Sequence, residues 1–137
     1  IGLLLILGIK FLALTQIEIA RIPFIIIAGH AVSRLFPVLL IYTSQYARLD
    51  ASSKTKPIGK ADSVSSLIFA LTLGGTTLFL LSWLEAIIGI TVLIVVFLFF
   101  RKYIIRKLGG YTGDVLGALQ QLCEVFFYLS IVGIQNF

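Results

Sequence analysis

Five nearly continuous apolar runs dominate this sequence, at residues 1–14, 22–43, 63–82, 86–100 and 114–134. About twenty apolar residues in a helix span the hydrocarbon core of a bilayer. Within lipid, backbone N–H and C=O groups find no water, so only helices and closed barrels can cross. These runs are continuous rather than alternating, which specifies helices. The expected fold is all-α: a polytopic membrane helical bundle of about five transmembrane helices, forming a single domain over 1–137. Composition agrees. The chain is 59% hydrophobic and 12% charged, with a mean hydropathy of +1.09, where soluble domains carry about 25% charged residues. This excludes a disordered chain and argues against a water-soluble enzyme. The single cysteine excludes an internal disulfide. Residue 1 is Ile, it lies inside an apolar run, and the chain holds no Met. The sequence is therefore expected to be a fragment of a longer protein, its first run being the end of a helix that begins upstream.

The net charge of +5 would point to nucleic acid in a soluble protein. Here the cations flank apolar runs, so they read as a topology signal and no nucleic-acid partner is expected. Residues 44–62 form the long hydrophilic loop, with Arg48, Lys54, Lys56 and Lys60. Residues 101–113 form a second basic loop, with Arg101, Lys102, Arg106 and Lys107. Two spans separate them, so both lie on one side. The positive-inside rule makes that side cytoplasmic, in a multi-pass protein of the cell membrane whose C-terminus lies outside. Residues 82–85 read as a tight turn with Trp83 at the interface. The run 86–100 reads as lipid-facing, and Phe97 to Phe100 and Phe126, Phe127 and Tyr128 read as lipid-facing or interfacial. Pro37 should kink the second span, and Gly74 and Gly75 permit close helix contact.

Ionisable residues inside a span are expensive and point to function. Four are singled out: His30, Arg34, Asp114 and Glu124. His30 and Arg34 are four apart and share a helix face, with Ser33 and Pro37 beside them. One reading is a polar seam in which Arg34 meets a phosphate or carboxylate. The other is that Arg34 snorkels to the interface and His30 makes one interhelical hydrogen bond. On the last helix, Asp114, Gly117, Gln121 and Glu124 fall on one narrow arc. Gly109, Gly110 and Gly113 precede it. They let backbone N–H groups converge at a helix N-terminus beside Arg106 and Lys107, an arrangement suited to phosphate. Asp114 can then support a divalent cation on that phosphate. The simpler reading is a Gly-rich turn with Asp114 as N-cap and Gly117 as a packing notch. Gln121 and Glu124, deeper in the same helix, are not explained by a cap. Cys123 reads as inert filler.

The string Gly109-Gly110-Tyr111-Thr112-Gly113-Asp114-Val115-Leu116-Gly117-Ala118, with Gln120, Gln121 and Glu124 after it, resembles the cobalamin synthase family. His30-Ala31-Val32-Ser33-Arg34 and Tyr46-Ala47-Arg48 resemble further family segments. The resemblance covers the whole chain, as the C-terminal portion of a family member. It implies a membrane transferase that joins adenosylcobinamide-GDP to α-ribazole or α-ribazole 5′-phosphate, releases GMP and needs Mg²⁺. In that reading Asp114 supports Mg²⁺ and the diphosphate, while Arg34 and Lys107 neutralise phosphate. Gln121 and Glu124 orient the second substrate or brace the helix. His30, Ser33, Gly109, Gly110, Thr112 and Gly113 complete the substrate site. The family's Asp-rich metal motif has no counterpart in this chain, so the fragment is expected to be inactive alone. Rival readings are a CDP-alcohol phosphotransferase of phospholipid type and a non-catalytic transporter or channel fragment.

Overall fold

The computed structural model describes residues 1–44 and 63–137. The expected 44–62 loop, with its four cations, Asp50, Asp62 and the Tyr46-Ala47-Arg48 segment, lies outside the described residues apart from Ser44. Among the described residues six α-helices follow in chain order: α1 Gly2–Thr15, α2 Ile22–Ser33, α3 Leu35–Thr43, α4 Ser63–Thr76, α5 Trp83–Leu108 and α6 Gly113–Gln135. One-turn 3₁₀ segments at Ile19–Arg21 and Thr77–Leu80 precede α2 and extend α4. The chain is a helical membrane bundle. Among the described residues three stretches are long and apolar enough to cross a bilayer: Ile19–Thr43, Trp83–Leu108 and Gly113–Gln135. The apolar helices Gly2–Thr15 and Val64–Leu80 are shorter.

The second span is interrupted at Arg34, three residues before Pro37. Pro37 has no N–H to give the Ser33 carbonyl, and its ring crowds that position, so the helix breaks one turn upstream. Two expected boundaries are corrected. Residues 101–108 are helical, so Arg101, Lys102, Arg106 and Lys107 ride the last turns of α5, and only 109–112 form a turn. Residues 82–85 are the start of α5 rather than a separate turn. Ser82 is its N-cap and closes a capping box with Glu85.

Each end of the bundle is tied by an arginine. At one end Arg21, leading into α2, makes a two-pronged contact with Glu85 at 2.8 and 2.6 Å. Glu85 is buried. At the other end Arg101 donates to the Thr43 carbonyl at 2.7 Å and to its hydroxyl at 3.2 Å. The turns before α2 and before α5 therefore share one end, and the basic residues of α5 belong to the opposite end.

The core is organised on α6. Leu119, Cys123, Phe127 and Ile131, spaced four apart, are fully buried and form one stripe. Phe127 is held between two glycines. A Cβ on Gly29 would meet Tyr128 at 2.7 Å and Phe127 at 2.8 Å, and one on Gly89 would meet Phe127 at 3.1 Å. Such notches bring helix backbones together in a bilayer, where dispersion replaces the hydrophobic drive. The lipid-facing reading of the phenylalanines is thus corrected in part. Phe127 and Tyr128 are core residues, and Phe97 is buried against Phe36 at a ring separation of 5.7 Å. Phe99, Phe126 and Trp83 are exposed. Gly74 is the working member of its pair, since a Cβ there would meet Leu35 at 2.9 Å, while Gly75 faces open space.

Candidate functional site

Glu124 lies midway along α6 and is buried. An isolated carboxylate there would cost several kcal/mol. Instead it gathers partners from three helices. Lys10 of α1 donates to its Oε2 at 2.9 Å and to Gln121 Oε1 at 2.6 Å. The Tyr128 hydroxyl, one turn further along α6, donates to Oε1 at 3.0 Å. His30 of α2 places Nδ1 3.4 Å from the same oxygen. The Lys10 and Glu124 side chains are 12% and 8% exposed, but that of His30 is 48% exposed. The network is closed on the α1 side and open at His30.

His30 opens onto a groove of about 670 Å³ between α2–α3 and α4. Its lining runs from Ile26 to Val38 on one wall, about 18 Å of helical rise. Phe69 to Gly74 supply the opposite wall. The lining is apolar except at His30 and Arg34. Arg34 sits one turn from His30, about 6 Å toward the basic end. It is exposed, and it has no hydrogen bond or ion pair to another described residue. An unpaired guanidinium beside an imidazole, in an apolar trough, is suited to an anionic group carried on a larger apolar body.

The structure joins His30, Gln121 and Glu124 and sets Arg34 beside them. It does not bring the remaining sequence candidates to this place. Ser33 is fully buried, and its hydroxyl donates to the His30 carbonyl at 3.1 Å. Asp114 is exposed in the first turn of α6, ten residues and about 15 Å from Glu124. It is not the N-cap. Thr112 is, its hydroxyl accepting from the Val115 N–H at 3.4 Å. Gly109 has a positive φ of 72° and ends α5, its N–H bonded to the Ile105 carbonyl at 3.1 Å. Part of the Gly-rich turn's hydrogen bonding is thus spent on capping. Gly110 is buried, while Gly113, Gly117 and Lys107 are exposed, and a Cβ on Gly117 would meet nothing.

Two functional-looking contacts escaped sequence reasoning. Lys10 is a charge inside an apolar run, so the rule that singled out Glu124 applies equally to it. Tyr128 stands four residues from Glu124 on the same face. Among the described residues no three His, Cys, Asp or Glu groups come together. Glu124 is occupied by Lys10, and Asp114 offers one isolated carboxylate. The described residues do not assemble a Mg²⁺ site.

A sequence profile of cobalamin-5-phosphate synthase matches residues 1–132. The chain belongs to that family. Its relatives include an adenosylcobinamide-GDP ribazoletransferase of Shewanella piezotolerans, 33% identical over 96% of this chain and 52% of that protein. Another, from Shewanella sp. strain ANA-3, carries the same name and is 41% identical over 78% of this chain and 42% of its own length. The chain thus spans about half the length of the curated relatives it matches. No solved structure matches it. Neither the phospholipid-type CDP-alcohol phosphotransferase nor the transporter reading gains support from these relatives.

Proposed function

We propose that the full protein carries out the reaction its relatives are named for. It would transfer α-ribazole, or its 5′-phosphate, onto adenosylcobinamide-GDP with release of GMP, in the last steps of cobalamin assembly. The family match over nearly the whole chain carries this reading. The groove supports it, because an amphiphilic substrate bearing a diphosphate needs an apolar wall with a few placed cations. In this reading Arg34 binds phosphate within the groove. Lys107 and the turn from Gly109 to Gly113 attract anions at the basic end. Mg²⁺ belongs to the proposal through the family resemblance. Its ligands would be carboxylates other than those described, with Asp114 adding one at most.

The test is GMP release by the full-length protein in lipid, given adenosylcobinamide-GDP and α-ribazole. Turnover that requires both substrates is expected, and its absence would remove the reading. Asp114→Asn refines it. Thr112 holds the cap, so the substitution removes only charge. We expect transfer to fall at least about a hundredfold, the scale of losing one electrostatic stabiliser. A near-normal rate would leave the Gly-rich turn a structural role.

The basic end is proposed to face the cytoplasm, where nucleotide substrates are found. A cysteine at Lys107, which is exposed, should react with a membrane-impermeant reagent only after cells are opened. Labelling in intact cells would reverse the orientation.

A further inference from the structure

We infer that His30 is the proton acceptor for the attacking hydroxyl, with Glu124 and Lys10 as positioning residues behind it. The inference rests on the reaction proposed above. A base that works in an enzyme is held by a third group, which fixes its tautomer and its aim. His30 has that arrangement. Its Nδ1 lies 3.4 Å from Glu124 Oε1. A carboxylate only accepts, so in the tautomer that closes this contact Nδ1 carries the proton and Nε2 is left as the acceptor. The ring is half-exposed and lines the groove. Glu124 is in turn fixed by the Lys10 ammonium at 2.9 Å and the Tyr128 hydroxyl at 3.0 Å.

The spacing suits the chemistry. Side chains four apart on a helix have Cβ atoms about 5–6 Å from each other. A hydroxyl on Nε2 and a phosphate oxygen on the Arg34 guanidinium would then leave the hydroxyl oxygen beside the phosphorus. In the step, the ribose oxygen of α-ribazole bonds to the phosphorus that carries the cobinamide. The bond from that phosphorus to the bridging oxygen breaks. The bridging oxygen leaves with GMP, and the hydroxyl proton passes to Nε2 of His30. Arg34 holds the phosphate oxygens through the change.

The charged and titratable groups around the imidazole are few. Glu124 reaches it from α6, with Tyr128 and the Lys10 of α1 behind that carboxylate, and Arg34 shares the groove lining one turn along. The α4 wall of the groove, from Phe69 to Gly74, brings none.

Two readouts test this in full-length protein reconstituted in lipid. His30→Gln should lower kcat for GMP release by at least about a hundredfold and leave KM little changed. Lys10→Gln should lower kcat with KM little changed, and Lys10→Arg should restore it. A His30→Gln kcat within about tenfold of the parent overturns the inference. The second readout needs no turnover. Nitrogen NMR of labelled histidine, with the His30 signal assigned by its loss in His30→Gln, should show the Nδ1-protonated tautomer. Glu124→Gln should shift it. A ring protonated on Nε2 alone in the parent overturns the inference. If the parent protein makes no GMP from these substrates, the proposed reaction fails, and with it the role of His30 in it.

Discussion

Replacing Glu124 by Leu should destabilise the folded full-length protein by about 3–5 kcal/mol, the cost of stripping one partner from a buried ion pair. Leucine fills a similar volume, so the loss is not one of packing. It arises because the Lys10 ammonium, 12% exposed, keeps only Gln121 as a partner among the described residues. The Tyr128 hydroxyl also loses its acceptor. The double variant Lys10→Met with Glu124→Leu should recover much of the loss, since it removes both charges. Denaturant unfolding in micelles, analysed as a double-mutant cycle, measures this coupling. A single variant within about 1 kcal/mol of the parent would mean that water reaches Lys10 and Glu124 freely, contrary to their burial.

Arg34→Gln should have the opposite profile, intact stability with transfer down by at least about a hundredfold. Arg34 is exposed to the groove and has no partner among the described residues, so the fold loses little when its charge goes. The proposed phosphate contact loses its cation. Arg34→Lys should fall between the two, because it keeps charge and gives up the planar fork that meets two oxygens. GMP release and thermal unfolding on the same preparations separate the effects. A Gln variant with normal turnover would return Arg34 to the snorkelling role that sequence alone allows.

Much of the architecture was legible because lipid imposes a simple rule. Long apolar runs must satisfy their own backbone, so helix type and approximate extent follow from hydropathy. Charge distribution along those runs marked Arg34, His30 and Glu124 by the same physics, since a bilayer makes each of them costly. Boundaries were less legible. The basic residues from Arg101 to Lys107 look like loop by charge, yet α5 continues through them and ends at Gly109, the residue able to take the left-handed conformation.

Partners were the least legible of all. Arg21 and Glu85 are 64 residues apart, and Lys10 and Glu124 are 114 apart. Nothing local says which cation serves which carboxylate. Nor does periodicity distinguish Phe127, clasped by Gly29 and Gly89, from its exposed neighbour Phe126. The sequence by itself determined that this chain is a helical membrane bundle with costly polar groups at mid-membrane, because each residue's solvation cost is its own property. Only the tertiary structure decided that Lys10 neutralises Glu124, that His30 joins this pair to the groove, and that Asp114 stands apart from it. Pairing depends on which helix faces meet, and that is fixed by the fit of bulky side chains against glycine notches across the whole bundle.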